Sequence, residues 1–274
     1  IFILFLLELL NKRILHENDI TSLTDIPLLG IVSYTKPEDM RYGSVAVNSS
    51  ASTNNKIVSE QFRTMRTNLE LPPFINNNKV ITVTSSDSED GKTFTAINLG
   101  LILALSTKRA VVIEFDLRKP KMFEVLNIDN GPGVCDYLNG NAELKNIIKR
   151  SGLHNNLYVI SCGNIPPNRG DLLTYPSTLQ LTNDLQEMFD VIIIDTPPVS
   201  IVTDTLIISK YSNINLFVVR QAKTFKSELA DFNALYVENK IHNPAIIFNG
   251  VKFLKKYGYF GDPFKTYESH LLKR

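Results

Sequence analysis

A chain of 274 residues, 43% hydrophobic and 21% charged, has the makeup of an ordinary folded protein that can bury one good core with a small appendage. Its formal net charge of +1 gives no bulk electrostatic case for binding nucleic acid. Only two cysteines occur, Cys135 and Cys162, without metal-ligand spacing, which suits a reducing compartment and argues against a disulfide framework; the four histidines (His16, His154, His242, His270) are too scattered for a His-based metal site.

The chain opens on Ile1 to Leu10, IFILFLLELL, almost wholly apolar and followed directly by Asn11-Lys12-Arg13. Ten residues are too few to cross a bilayer, which takes about twenty, and no basic region precedes them as in a signal peptide. Residues 1–13 read as the end of a membrane helix with Lys12 and Arg13 on the cytoplasmic side; a buried helix is the alternative. Residues 14–55 read as a juxtamembrane segment and linker. Within them Asn18 or Asp19 caps a short helix that Pro27 and Gly30 end, and Lys36 to Asn55 is rich in Ser, Asn and Thr without periodicity. Residues 56–252 form the folded domain and 253–274 a flexible tail.

Ile57 to Leu71 is helical, with Phe62, Met65 and Leu69 on one face and Pro72-Pro73 closing it. Glu60, Arg63 and Arg66 recur every three residues on the other side, a stripe whose default reading is a solvated face. The organising stretch follows, Lys79 to Gly100, KVITVTSSDSEDGKTFTAINLG. Val80 to Thr84 is a buried strand, then come a polar loop, Gly91-Lys92-Thr93, and a helix carrying Ile97, Leu101 and Leu105. That order is the context of a phosphate-binding P-loop, whose backbone N–H groups and helix N-terminus supply positive partial charge. Lys92 adds a full charge for the β- and γ-phosphates, and the Thr93 hydroxyl is suited to Mg²⁺. The pattern departs from the general one in having Ser86 where the first Gly stands, and Glu89 and Asp90 bring carboxylates into the loop.

Arg109 to Phe115 is a second buried strand, running into Asp116 at the carboxyl edge of the sheet, where ligands bind in open α/β folds. Asn127 to Gly140 is turn-rich, Ala142 to Lys149 a short helix, and Leu157 to Ser161 a third strand. Ser177 to Met188 reads as a helix with Leu179, Leu185 and Met188 inward. Val191 to Ile194 is a run of four β-branched residues ending in Asp195, whose buried carboxylate calls for a metal, a basic partner or a helix end nearby. A helix from Asp204 to Ser209, a strand Ile214 to Val219, a helix Lys226 to Asn239 and a strand Ala245 to Phe248 complete the alternation. The fold class is therefore α/β, a mostly parallel sheet with helices on both faces. The tail KFLKKYGYFGDPFKTYESHLLKR holds Tyr257, Tyr259 and Tyr267 among glycines and bases, which argues against a packed core.

Together these pieces resemble the cytoplasmic domain of bacterial tyrosine kinases (BY-kinases), the Wzc-like proteins of exopolysaccharide export. The resemblance rests on LTDIPLLG, EQFRTMRTNL, TSSDSEDGKTFTAINL, VVIEFDLRKPK, GVCDYLNG, IPPN, DVIIIDTPPV and the tyrosine tail, in that order. It implies a P-loop fold of the ParA/MinD type and ATP with Mg²⁺ as cofactors, with Ser88, Glu89, Asp90, Gly91, Lys92, Thr93 and Phe94 lining the nucleotide. Catalytic roles fall to Lys92, Glu114, Asp116 and Asp195, and metal binding to Thr93, Asp116 and Asp195. Either Asp116 or Glu114 is placed to accept the tyrosine proton. Glu60, Arg63 and Arg66 match the E-x-x-R-x-x-R pattern through which such domains form rings. Tyr257, Tyr259 and Tyr267 become phosphoacceptors in a neighbouring subunit, and their phosphorylation weakens the ring. The implied partners are a second copy of the chain, the inner membrane, the polysaccharide export machinery and a tyrosine phosphatase, but no nucleic acid.

Two departures fall in the nucleotide site. Family members usually carry Gly in place of Glu89, so the loop carries strain or repels the γ-phosphate, and Asp in place of Glu114, so the longer side chain shifts any metal contact to a water-mediated one. A ParA/MinD-like ATPase switch and a catalytically weakened scaffold of the same assembly are the rival readings.

Overall fold

The β-branched runs form strands because their side chains pack on a pleated surface buried on both faces. The computed structural model describes residues 11–35, 53–72, 74, 79–167, 172, 176–199 and 204–252. The apolar start, most of the linker, and the tail with Tyr257, Tyr259 and Tyr267 lie outside the described residues. Among the described residues eight strands make one sheet: β1 (Leu28–Ser33), β2 (Lys79–Ser85), β3 (Ala110–Glu114), β4 (Lys149–Arg150), β5 (Leu157–Ile160), β6 (Val191–Asp195), β7 (Ile214–Arg220) and β8 (Pro244–Val251). Their order is β1-β8-β7-β2-β6-β3-β5-β4, parallel except for the antiparallel edge pair β4 and β5.

The helices are α1 (Glu17–Thr21), α2 (Thr53–Leu69), α3 (Lys92–Leu105), α4 (Met122–Leu126), α5 (Val134–Leu138), α6 (Leu144–Ile147), α7 (Pro176–Met188), α8 (Asp204–Ser209) and α9 (Lys226–Val237). Alternation along the strands sorts the core by face. Val191 and Ile193 of β6 and Val112 of β3 share a cluster with α2 and α3, while Ile192, Ile194, Val111 and Ile113 pack with α7 and α8. On the β7–β8 side, α1 and α9 cover Phe217, Val219 and Ile246, with Phe217 stacked on Phe232 at 4.1 Å between ring centroids. Phe62, Met65 and Leu69 are fully buried, as their spacing predicts, and Glu60 and Arg63 are exposed on the opposite side.

Three expectations are corrected. The stretch expected as a short helix followed by linker instead contributes strand β1, parallel to β8, and its helix begins at Glu17 with Asp19 inside it. Gly30 lets β1 approach α2, since a Cβ there would stand 2.6 Å from Met65 Cγ. In α7 the inward residues are Thr178, Leu181, Thr182 and Leu185, while Leu179 and Met188 are 46% and 38% exposed. The two threonines turn inward because their hydroxyls donate to the carbonyls of Leu172 and Thr178 and so are satisfied in the core. The turn-rich stretch after Asn127 folds into helix α5, whose Cys135 N–H donates to the Cys162 carbonyl at 3.0 Å. The two cysteines, distant in sequence, are therefore neighbours, and burial pushes both thiols up to about 12, leaving them inert.

Candidate nucleotide site

β2 lies between β6 and β7, so the loop leaving its carboxyl end is flanked by the tips of both neighbours. The register pairs Val83 with Asp195 and Asp195 with Glu114, which brings three strand ends to one edge. The loop turns into α3 at Gly91, whose φ of 99° is left-handed. A Cβ at Gly91 would meet Asn249 Nδ2 at 2.2 Å, so glycine is needed for both conformation and space. Asn249, on β8, donates from that Nδ2 to the Asp90 carbonyl at 2.8 Å and pins the loop against the sheet. Sequence reasoning missed Asn249; the one available sign was a polar residue directly after the apolar run of β8.

Asp90 is fully buried, and its Oδ2 accepts from Ser86 Oγ at 3.1 Å and from the Asp87 N–H at 2.9 Å. Its carboxylate thus braces the loop from within. Glu89 is exposed and does not adopt a left-handed backbone, so the strain expected of it is absent. Phe94 is buried and meets Phe62 edge-on at 6.0 Å; its ring belongs to the core, leaving only its backbone to the loop.

Lys92 is 2% exposed, and its Nζ donates to the Asp87 carbonyl at 3.3 Å. Burial holds its ammonium below the usual lysine range, and Asp195, Asp116, Asp90 and Asp87 oppose that shift. Thr93 Oγ1 donates to Asp195 Oδ2 at 2.6 Å across 102 positions of sequence. Asp195 is fully buried; desolvation pushes its carboxyl up to about 7, with Lys92 and the Thr93 hydroxyl pulling the other way. Its second oxygen, Oδ1, has no hydrogen-bond partner among the described residues. An orphaned carboxylate oxygen beside a threonine hydroxyl suits a hard divalent cation. Mg²⁺ keeps several waters and leans on phosphate oxygens, so it needs few protein ligands. The residues present therefore fit Mg²⁺.

Asp116 stands close enough for its charge to act on both Lys92 and Asp195, and its Oδ1 accepts from the N–H groups of Arg118 and Lys119. Lys119 in turn donates from Nζ to Ser88 Oγ at 3.2 Å, tying this turn to the P-loop. Glu114, expected in the chemistry, is held here by backbone donors. Its Oε1 accepts from the N–H groups of Lys121 and Met122 at 2.6 and 2.7 Å, and its Oε2 from the Cys162 N–H at 3.2 Å. Burial raises its pKa and the three N–H donors lower it. With both oxygens engaged by backbone donors, the carboxylate anchors the start of α4. The structure brings Lys92, Thr93, Asp116 and Asp195 together. It leaves Glu60, Arg63 and Arg66 on α2, apart from them, with Arg63 Nη1 3.0 Å from Glu60 Oε1.

Residues 78–247 match the family model described as an AAA domain. Tyrosine-protein kinase ptk of Acinetobacter johnsonii is 33% identical over 227 residues, which are 81% of this chain and 31% of that protein. Tyrosine-protein kinase YwqD of Bacillus subtilis is 31% identical over 205 residues, 74% of this chain and 86% of YwqD. The chain thus spans about a third of the first relative and most of the second. Among solved structures, the BceF tyrosine kinase domain superposes with a TM-score of 0.73 at 28% identity, covering 88% of this chain and all of that one. With an AAA-type P-loop domain over most of its described length and kinases of this type as its relatives, the chain belongs to the family of bacterial tyrosine-protein kinases.

Proposed function

We propose that this domain is an ATP-dependent protein-tyrosine autokinase that phosphorylates Tyr257, Tyr259 and Tyr267 in trans, the tail of one subunit entering the site of the next. The observation that carries this reading is the convergence of Lys92, Thr93 and Asp195 at the carboxyl end of β2, in a chain whose relatives are named tyrosine-protein kinases. Phosphoryl transfer asks mainly for positioning and charge stabilisation. The loop N–H groups and Lys92 receive the phosphates. Thr93 and Asp195, with Asp116 beside them, would hold Mg²⁺, which supplies positive charge to the phosphate oxygens when bound. The phenolic oxygen forms a bond to the γ-phosphorus and the bond to the bridging oxygen breaks, so that ADP leaves with that electron pair. The phenolic proton passes to Asp116, the carboxylate whose charge acts on both Lys92 and Asp195.

On this reading Glu60, Arg63 and Arg66 form the ring contact. The expectation of a membrane-helix end over residues 1–13 does not hold for Asn11 to Arg13, which are not helical: Arg13 bridges to Phe225 and the Lys12 carbonyl accepts from the Lys226 N–H. The domain works on the cytoplasmic face of a membrane, and the assembly governs exopolysaccharide synthesis and export, opposed by a tyrosine phosphatase. Among the described residues no helix is long and apolar enough to cross a membrane. The purified domain, incubated with ATP and Mg²⁺, is expected to gain phosphate on the three tail tyrosines by mass spectrometry. Absence of phosphotyrosine in the wild type and in Glu89→Gly alike would overturn the kinase reading.

A further inference from the structure

The P-loop of this chain carries three carboxylates, Asp87, Glu89 and Asp90, where the negative charge of a triphosphate must be received. Left alone, they would repel the ligand and draw Lys92 toward themselves. The structure supplies one more cation. Lys223, in the turn between β7 and α9, places its Nζ 3.1 Å from Asp87 Oδ2, 3.5 Å from Asp90 Oδ1 and 3.9 Å from Glu89 Oε2. An isolated exposed ion pair contributes little. This one differs, because a single ammonium faces three acids, one of them fully buried.

The turn that presents Lys223 is held on several sides. Ala222 has a φ of 59°, unusual for a residue with a Cβ. Its N–H donates to the Ile14 carbonyl at 2.8 Å, and its own carbonyl accepts from Arg13 Nη1 at 2.8 Å. Gln221 Nε2 donates to the Leu15 carbonyl at 2.9 Å, and Thr224 Oγ1 accepts from the Arg220 N–H at 2.8 Å. Lys223 therefore projects from a braced turn onto the loop. Arg220, at the head of the same turn and partly buried, adds its charge to the field at Asp90.

We propose that Lys223 is a positioning residue for the nucleotide: its ammonium offsets part of the negative charge of the P-loop carboxylates, so that the loop N–H groups and Lys92 can receive a triphosphate. The inference rests on the nucleotide-binding reading above and adds a residue to it. It also explains how this loop tolerates Glu89 and Asp87, since the acids that would repel phosphate have a dedicated counter-charge.

The test is calorimetric titration of ATP–Mg²⁺ into the wild-type chain, Lys223→Met, Lys223→Arg, and Lys223→Met combined with Asp87→Asn and Glu89→Gln. Lys223→Met keeps the apolar stem and is expected to weaken binding roughly tenfold, as fits loss of one charge at short range in a half-solvated site. Lys223→Arg retains most of the affinity because it retains the charge. Neutralising Asp87 and Glu89 in the Lys223→Met background restores affinity, which a merely structural lysine would not allow. Added salt shrinks the Lys223→Met defect. If Lys223→Met does not fold, Lys223→Gln carries the same comparison. Binding by Lys223→Met equal to wild type, or a defect that persists after the acids are neutralised, overturns the inference alone. A wild-type chain that ignores ATP–Mg²⁺ overturns the nucleotide site and the inference together.

Discussion

Asp195 and Glu114 end neighbouring strands, pair in register, and are both buried within the sheet edge, yet their hydrogen bonding is opposite. Glu114 accepts three backbone N–H bonds, with both oxygens engaged. Asp195 accepts one hydroxyl and keeps an oxygen without a partner among the described residues. A buried carboxylate satisfied by the backbone belongs to the scaffold. One left short of partners is a stored electrostatic cost that a cation can relieve. Burial and position at a strand tip do not separate the two; hydrogen bonding does.

Replacing each acid is the strongest way to break this comparison. Asp195→Asn is expected to lower tyrosine phosphorylation by about a hundredfold or more, as for loss of a group that stabilises transition-state charge. Its melting temperature should equal or exceed that of the wild type, because a buried charge has gone. Glu114→Ala should act the other way round. It strands three N–H donors, at a cost of roughly 2–5 kcal/mol, seen as a melting temperature lower by about 10 °C, with most activity retained at temperatures where the variant is folded. A Glu114→Ala protein that melts like wild type but no longer transfers phosphate would place Glu114 in the chemistry and undo the contrast.

A pH series sharpens the same contrast with a smaller effect. Asp195 is pushed up to about 7 from an ordinary value of 3.8, so the folded protein holds a proton that the unfolded chain has already released. Stability from this group is thus complete below about 3.8 and is lost as pH rises through about 7. Melting of the ligand-free wild type should decline over that interval relative to Asp195→Asn. Affinity for ATP–Mg²⁺ should rise over the same interval, as the carboxylate ionises. The smallest effect on stability is expected far from the site. Arg63 and Glu60 form an exposed pair of the kind worth under about 1 kcal/mol. Arg63→Glu with Arg66→Glu should therefore leave melting almost unchanged while reducing the mass measured by light scattering to that of a monomer. An unchanged mass would remove α2 from any ring interface.

The amino-acid sequence by itself determined the alternation of strands and helices, the P-loop, and the presence of acids at strand tips. Those features are local: β-branched runs, a glycine that must turn left-handed, and apolar residues repeating along a helix face. It was less informative wherever a local pattern was weak or satisfied from afar. Strand β1 is interrupted by Gly30, where its register on β8 shifts and Met65 of α2 approaches the backbone. In α7 two threonines took the inward positions that Leu179 and Met188 had been expected to fill, because backbone carbonyls accepted their hydroxyls. The partners of Glu114, Asn249 and Lys223 were decided only by tertiary structure. Each depends on partners brought together by strand order and register, and no spacing along the chain encodes which backbone donor or which charge will stand opposite.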